Sequence, residues 1–226
     1  RHVRLVAATR ARGAQVGLAV THLPLKGHSE VAVVAPDQHG VLAAIAGALV
    51  AYRVDVLGAV VGHAEPVGGA PSVALDLFFV RDRVGAAIAA DDARWARLEA
   101  DLAALVADGA PSPDAVAALI GRRRPPSGLP PRVTPAIATE IRVDNSESTE
   151  ATIVEIFTRD RTGVLHAITR TLADADLDIT LSKISTEGEK VADVFYVTRA
   201  GAKLLAAADL DALRERLAAA LAELPG

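Results

Sequence analysis

Two stretches of this chain are versions of one another. Asp37-Gln-His-Gly-Val-Leu-Ala-Ala-Ile45 and Asp160-Arg-Thr-Gly-Val-Leu-His-Ala-Ile168 stand 123 residues apart, and Leu49 and Asp55 meet Leu172 and Asp178 at the same spacing. A second match, Asp76-Leu-Phe-Phe-Val80 with Asp193-Val-Phe-Tyr-Val197, runs 117 residues apart. The six-residue slip falls in the longer first-copy connection Glu65-Pro-Val-Gly-Gly-Ala-Pro71, and loops absorb length changes that strands and helices do not. One duplication with so long a period means two domains rather than a solenoid. Whatever fold one copy takes, the other must take as well.

Each copy reads as the same series of elements. Val31–Ala35 and Ile153–Phe157 are short β-branched strands. After an Asp-x-x-Gly turn, Val41, Leu42, Ile45 and Leu49, and Val164, Leu165, Ile168 and Leu172, recur on one face of a 3.6-residue period, which predicts a helix. Strands follow at Asp55–Val61 and Asp178–Ser185, then at Val73–Val80 and Val191–Val197. Each copy closes with an amphipathic helix: Trp95, Leu98, Leu102 and Leu105 in the first, Leu210, Leu213, Leu217, Leu221 and Leu224 in the second. The order β-α-β-β-α is one strand short of a ferredoxin-like unit. Gln15–Thr21 and Thr139–Val143 supply candidates, because Leu18 and Val20 meet Ile141 and Val143 at the same 123-residue spacing. The expected fold is α+β: two ferredoxin-like units in tandem, each an antiparallel four-stranded sheet with two helices on one face and its fourth strand entering from the N-terminal side. In the competing reading, Thr139–Val143 closes the first copy in ordinary chain order. Exposed sheet edges make edge-to-edge pairing an expectation, between the copies or between chains.

The expected domain map is a helical tail of a preceding domain at 1–13, units at 14–107 and 137–226, and a linker at 108–136. The linker begins with a short helix, Ser112 as its N-cap and Pro113 in its first turn. Five prolines between 125 and 135 make the remainder stiff. Arg122–Arg124 are either a solvated segment or an anion or partner contact. The chain has no Met and opens Arg1-His2-Val3-Arg4, so it is expected to be part of a longer protein.

Composition removes several functions. With no cysteine there is no disulfide, thiol catalysis or Cys-ligated zinc. No apolar run is long enough for a membrane span. A net charge of −4 argues against a nucleic-acid binder acting through a global positive field. Walker, GxSxG, GxGxxG and HExxH patterns are absent, which leaves no catalytic residue or metal site to nominate.

The Asp-x-x-Gly turns remain. Each leads from a strand into a helix, where free N–H groups and partial positive charge gather and glycine lets a ligand approach the backbone. An α-carboxylate fits amides near Gly40 or Gly163 while Asp37 or Asp160 pairs with an α-ammonium. The alternative is structural: the aspartates cap the helices and the glycines merely take positive φ. His39 and His166 are expected at the surface.

Strand, D-x-x-G-[VL]-L, apolar helix and two strands, twice over, resembles a pair of ACT domains. More specifically, Arg123-Arg-Pro-Pro-Ser-Gly-Leu-Pro-Pro-Arg-Val-Thr-Pro135, Thr139-Glu-Ile-Arg-Val-Asp-Asn145, Phe157-Thr-Arg-Asp-Arg-Thr-Gly-Val-Leu165 and Gly188-Glu-Lys-Val-Ala-Asp-Val-Phe-Tyr-Val197 resemble the C-terminal region of the bifunctional PII uridylyltransferase/uridylyl-removing enzyme family. The resemblance implies a bacterial, cytoplasmic, regulatory region without catalytic residues. It implies glutamine or another free amino acid as ligand, with the PII protein and the enzyme's own catalytic domains as partners, and neither nucleic acid nor membrane. No cofactor belongs to this region, while Mg would serve the parent enzyme, which transfers UMP from UTP to PII and removes it. The implied ligand residues are Asp37, His39, Gly40, Val41 and Leu42, and Asp160, Thr162, Gly163, Val164 and Leu165. The family usually has proline where His39 and Thr162 stand, so a looser loop is expected here. A stand-alone tandem amino-acid sensor and a docking module without ligand are the other readings.

Overall fold

The computed structural model describes residues 2–64, 71–123 and 137–225. The first copy comprises α1 (His2–Ala11), β1 (Gly17–Leu23), β2 (His28–Pro36), α2 (Val41–Ala51), β3 (Val54–Val61), the two-residue β4 (His63–Ala64), β5 (Val73–Asp82) and α3 (Ala93–Val106). After α4 (Pro113–Arg123) come β6 (Glu140–Asp144), β7 (Thr152–Arg159), α5 (Val164–Ala173), β8 (Asp178–Glu187), β9 (Lys190–Thr198) and α6 (Ala207–Ala222). The proline-rich run from 124 to 136 and the long connection from 65 to 70 lie outside the described residues.

All strands join one antiparallel sheet in the order β1-β2-β5-β3-β8-β9-β7-β6, with β4 beside β5. The fourth strand of each unit is the one that precedes it: β1 pairs with β2 and β6 with β7. The permuted arrangement therefore holds, and Thr139–Val143 belongs with the second copy's sheet rather than closing the first. The hairpin connection is short enough to demand antiparallel pairing, which is why chain order could indicate it. The repeat extends to irregularities. The register of β3 slips between Val56 and Gly58, and that of β8 between Ile179 and Leu181, the same positions 123 residues on.

The copies meet edge to edge. Gly58, Ala59, Val60 and Val61 of β3 pair with Ser185, Ile184, Lys183 and Ser182 of β8. A Cβ at Gly58 would stand 3.0 Å from the Ile184 carbonyl oxygen, so the seam needs the missing side chain.

Inward positions follow strand alternation. Phe78 and Phe195 are fully buried, while the neighbouring Phe79 and Tyr196 are half-exposed on the other face. In α3 the buried stripe is Trp95, Leu98, Leu102 and Val106; Leu105, the expected last member, is only half-buried. Asp92 caps α3 by accepting a hydrogen bond from the Arg94 N–H at 2.9 Å. Helix α2 is unlike the others, since every residue but Val50 is buried. Apolar on all sides, it is a core helix, and it packs against α3, α4 and α5. Its alanines and Gly47 permit this. A Cβ at Gly47 would lie 2.3 Å from Val116 on α4 and 3.1 Å from the His166 ring on α5.

Gly47→Leu should therefore overpack this junction. The expected loss is about 1–3 kcal/mol, read as a fall of several degrees in the melting temperature, since about 1 kcal/mol moves a chain of this size by roughly 2–4 °C. Unchanged melting would mean that α4 and α5 are free to move away from α2.

Candidate functional site

The two Asp-x-x-Gly turns are built alike. At the first, the Asp37 N–H donates to the Ser72 carbonyl (3.3 Å), the Val41 N–H to the Gln38 carbonyl (3.0 Å) and the Ala44 N–H to the Gly40 carbonyl (3.1 Å). At the second, the Asp160 N–H donates to Glu189 (2.8 Å), the Val164 N–H to Arg161 (3.1 Å) and the Ala167 N–H to Gly163 (2.8 Å). Gly40 and Gly163 precede their helices at φ 76° and 91°, a left-handed conformation that favours glycine. Neither helix has a side-chain cap. Asp37 instead accepts from the Ser72 hydroxyl at 2.9 Å. The capping explanation thus fails for the aspartates and holds for the glycines. Among the described residues, no backbone acceptor meets the amides of Leu42 and Ala43, or those of Leu165 and His166. These are the orphan donors of a helix start.

Pairing of β3 with β8 sets each turn against the opposite copy. A Cβ on Gly40 would lie 3.8 Å from the Ala173 Cβ, and one on Gly163 would lie 4.0 Å from Val50, which matches Ala173 in the repeat. The first turn opens on a cleft of about 530 Å³ lined by Asp37, Gly40, Val41 and Leu42 and, from the second copy, by Thr169 and Asp178. Behind the second turn lies a void of about 50 Å³, bordered by Asp160, Gly163, Val164 and Leu165 with Asp55 from the first copy. Outside it a cleft of about 590 Å³ takes in Asp160, Thr162 and Gly163.

His39 ties the first turn across the seam. Its Nδ1 stands 2.9 Å from an Asp178 carboxylate oxygen and its Nε2 2.9 Å from the Ala173 carbonyl. Because both partners are acceptors, the two contacts are both hydrogen bonds only when each ring nitrogen carries a proton. The Asp178 hydrogen bond is the main cause of a His39 pKa above the usual histidine value. In place of the looser loop expected without proline, His39 is anchored at both ring nitrogens. Thr162, at the matching position, is exposed and makes no such bridge among the described residues.

His166 is not a surface group. It is partly buried between α2 and α5, with Nδ1 3.0 Å from the Ala43 carbonyl, and burial lowers its pKa. A neutral ring donating through Nδ1–H satisfies that carbonyl.

The structure adds carboxylates to which the sequence assigned no role in the site. Asp76 and Asp193 face inward on β5 and β9, each 1% exposed. The Asp76 Oδ1 meets the Gly62 N–H at 3.4 Å and its Oδ2 has no partner; the Asp193 Oδ1 accepts from the Ser185 N–H at 3.3 Å. Burial pushes both up to about 7, and the charges of Asp37 and Asp160 add to it. Asp55 and Asp160 are likewise raised by burial, and Asp55 also by Asp160 across the seam. The available signal was an acid at an inward position of an apolar alternating strand, between Ala74 and Phe78. Among the described residues, no three His, Cys, Asp or Glu side chains are placed to hold a metal ion. Among the described residues, no helix is long and apolar enough to cross a membrane.

The fold tolerates Asp76 and Asp193 as neutral acids. Their folded pKa lies above the unfolded value of about 3.9, so their contribution to stability is intact below about pH 4 and is lost as the pH rises through about 7. Asp76→Asn and Asp193→Asn should melt higher relative to the parent at pH 8 than at pH 4. A difference that stays constant with pH would show that the carboxyls remain charged in the folded chain.

Residues 140–224 match the family described as ACR9-like, ACT-like domain. The chain is 35% identical over 225 residues to the bifunctional uridylyltransferase/uridylyl-removing enzyme of Rhodospirillum rubrum, which covers 99% of this chain and 23% of that enzyme. The enzymes of the same name from Caulobacter vibrioides and Azospirillum brasilense are 36% and 35% identical over 194 and 204 residues, covering 85% and 86% of this chain and 19% and 20% of theirs. The chain thus spans about a quarter or less of the relatives it matches. Among solved structures, aspartate kinase from Synechocystis aligns over 88% of this chain and 27% of its own, with 16% identity and a TM-score of 0.41. Built of two permuted β-α-β-β-α units, of which the second matches an ACT-like family, the chain is homologous along its length to a segment of the bifunctional uridylyltransferase/uridylyl-removing enzymes.

Proposed function

We propose that this region senses a free amino acid, glutamine, and sets the balance between the uridylylating and uridylyl-removing activities that a parent enzyme directs at PII. The observation supporting this reading is the composition of the first cleft. Asp37 offers a carboxylate for an α-ammonium, and the unpartnered amides of Leu42 and Ala43 offer donors for an α-carboxylate. Ligand-sized clefts run from about 300 to 1,000 Å³, a range that includes this one.

Regulation follows from where the ligand would sit. It would touch α2 of one copy and α5 and β8 of the other, so binding would favour one arrangement of the seam. Biasing two opposing activities several-fold needs a coupling of only about 1–3 kcal/mol. The catalytic domains and the Mg that UMP transfer would use belong, in this reading, to the longer protein, and PII is the separate protein it acts on.

Calorimetric titration of the 226-residue chain with L-glutamine should give saturable heat and a raised melting temperature. Asp37→Asn, which keeps the shape and removes the charge, should weaken binding at least tenfold. A folded chain that shows neither heat nor thermal shift at millimolar glutamine would end this reading. A response to a different amino acid in a parallel series would keep the sensor and change its ligand.

A further inference from the structure

The two corners share a backbone but differ in charge at their mouths. Among the described residues, no arginine or lysine lines the first cleft. The cleft outside the second corner is lined by Arg53, Arg83, Arg123, Arg159 and Arg161, with Asp160 as its only acid among the described residues.

The repeat shows that the fold does not require these arginines. Arg159 and Arg161 stand where the first copy has Pro36 and Gln38. Arg53 stands where the second copy has Asp176, and both residues take the same left-handed turn, φ 57° and 56°. The turn is repeated and the charge is reversed.

Little within the chain neutralises the cluster. Arg123 is paired with Asp101 at 2.8 Å and lies over the Tyr52 ring at 4.1 Å, so it borders the cleft as part of a structural clamp. Arg53, Arg83 and Arg159 form no ion pair among the described residues. Arg161 donates one Nη1 hydrogen bond to the Leu224 carbonyl at 3.3 Å, and its Nε is buried without a partner. Burial and the charge of Arg159 both lower the Arg161 pKa, the sign of cations held together without a counter-ion. Burial raises the pKa of Asp160, the acid in the lining, and beyond it the cluster meets the Asp101 carboxylate at Arg123 and the charge of Asp55 near Arg83. The remaining wall is apolar: Val50, Ala51, Ile120, Leu224 and Pro225.

Planar guanidinium groups suit the oxygens of a phosphate, and an apolar wall suits an organic body. We propose that this cleft binds a multiply charged phosphate ester with an apolar portion, the class to which nucleoside triphosphates belong. The site is separate from the amino-acid cleft at the first corner and does not depend on it.

The test is calorimetric titration of the 226-residue chain with ATP at low salt, with tripolyphosphate and adenosine as partial probes. ATP should bind and should weaken as sodium chloride is raised, and tripolyphosphate should compete with it. Arg53→Ala with Arg83→Ala, both exposed positions, should weaken ATP at least tenfold, while the corresponding lysine pair should keep most of the affinity. Unchanged melting of both pairs would show that they fold, and an unchanged glutamine response would show that the two sites are distinct. Absence of ATP binding at millimolar concentration, equal binding of adenosine and ATP, or indifference to the alanine pair would each overturn the proposal.

Discussion

Four residue pairs between β3 and β8 hold the two copies in one sheet, and the rest of the architecture is arranged around them. Edge pairing satisfies backbone groups that each unit alone would leave open. It also fixes what each Asp-x-x-Gly turn faces: Ala173 and Asp178 at the first, Val50 and Asp55 at the second. A helix start inside one unit is only an end with spare donors. Set against the other copy's acids, it becomes one wall of a cleft.

Helix α2 makes that pairing possible from the other side. Its run of small apolar residues lets α3, α4 and α5 approach its backbone closely, and the His166 ring crosses to the Ala43 carbonyl. Because the helices of the two copies touch directly, movement at the seam and movement at the corners are mechanically connected. His39, spanning the first corner, adds a polar tie to this apolar contact.

Duplication preserved the skeleton and released the side chains. Glycine φ values, turn hydrogen bonds, the register slips in β3 and β8 and the buried Asp76 and Asp193 all recur. The mouths diverged, with His39 against Thr162, Gln38 against Arg161 and Asp176 against Arg53. Recurring features are those that backbone geometry enforces. Differing ones are exposed or half-buried positions, where the packing leaves the side chain freer to change.

The strands other than β4, the helices, the front-strand permutation and both turns were legible in the sequence, because period, turn chemistry and repeat spacing are local or nearly so. Val106 in place of Leu105 shows the limit: stripe membership depends on where a helix axis lies, and neighbouring residues read alike. The assignment of His166 to the surface failed for a related reason, since nothing in α5 alone announces that α2 will cover it. The sequence by itself determined that there are two equivalent units, each with an acidic turn opening a helix. Tertiary structure decided that they join through β3 and β8, that burial raises the pKa of Asp76 and Asp193 to about 7, and that five arginines border one cleft. Burial and long-range proximity set those outcomes, and both are properties of the packed chain rather than of any segment in it.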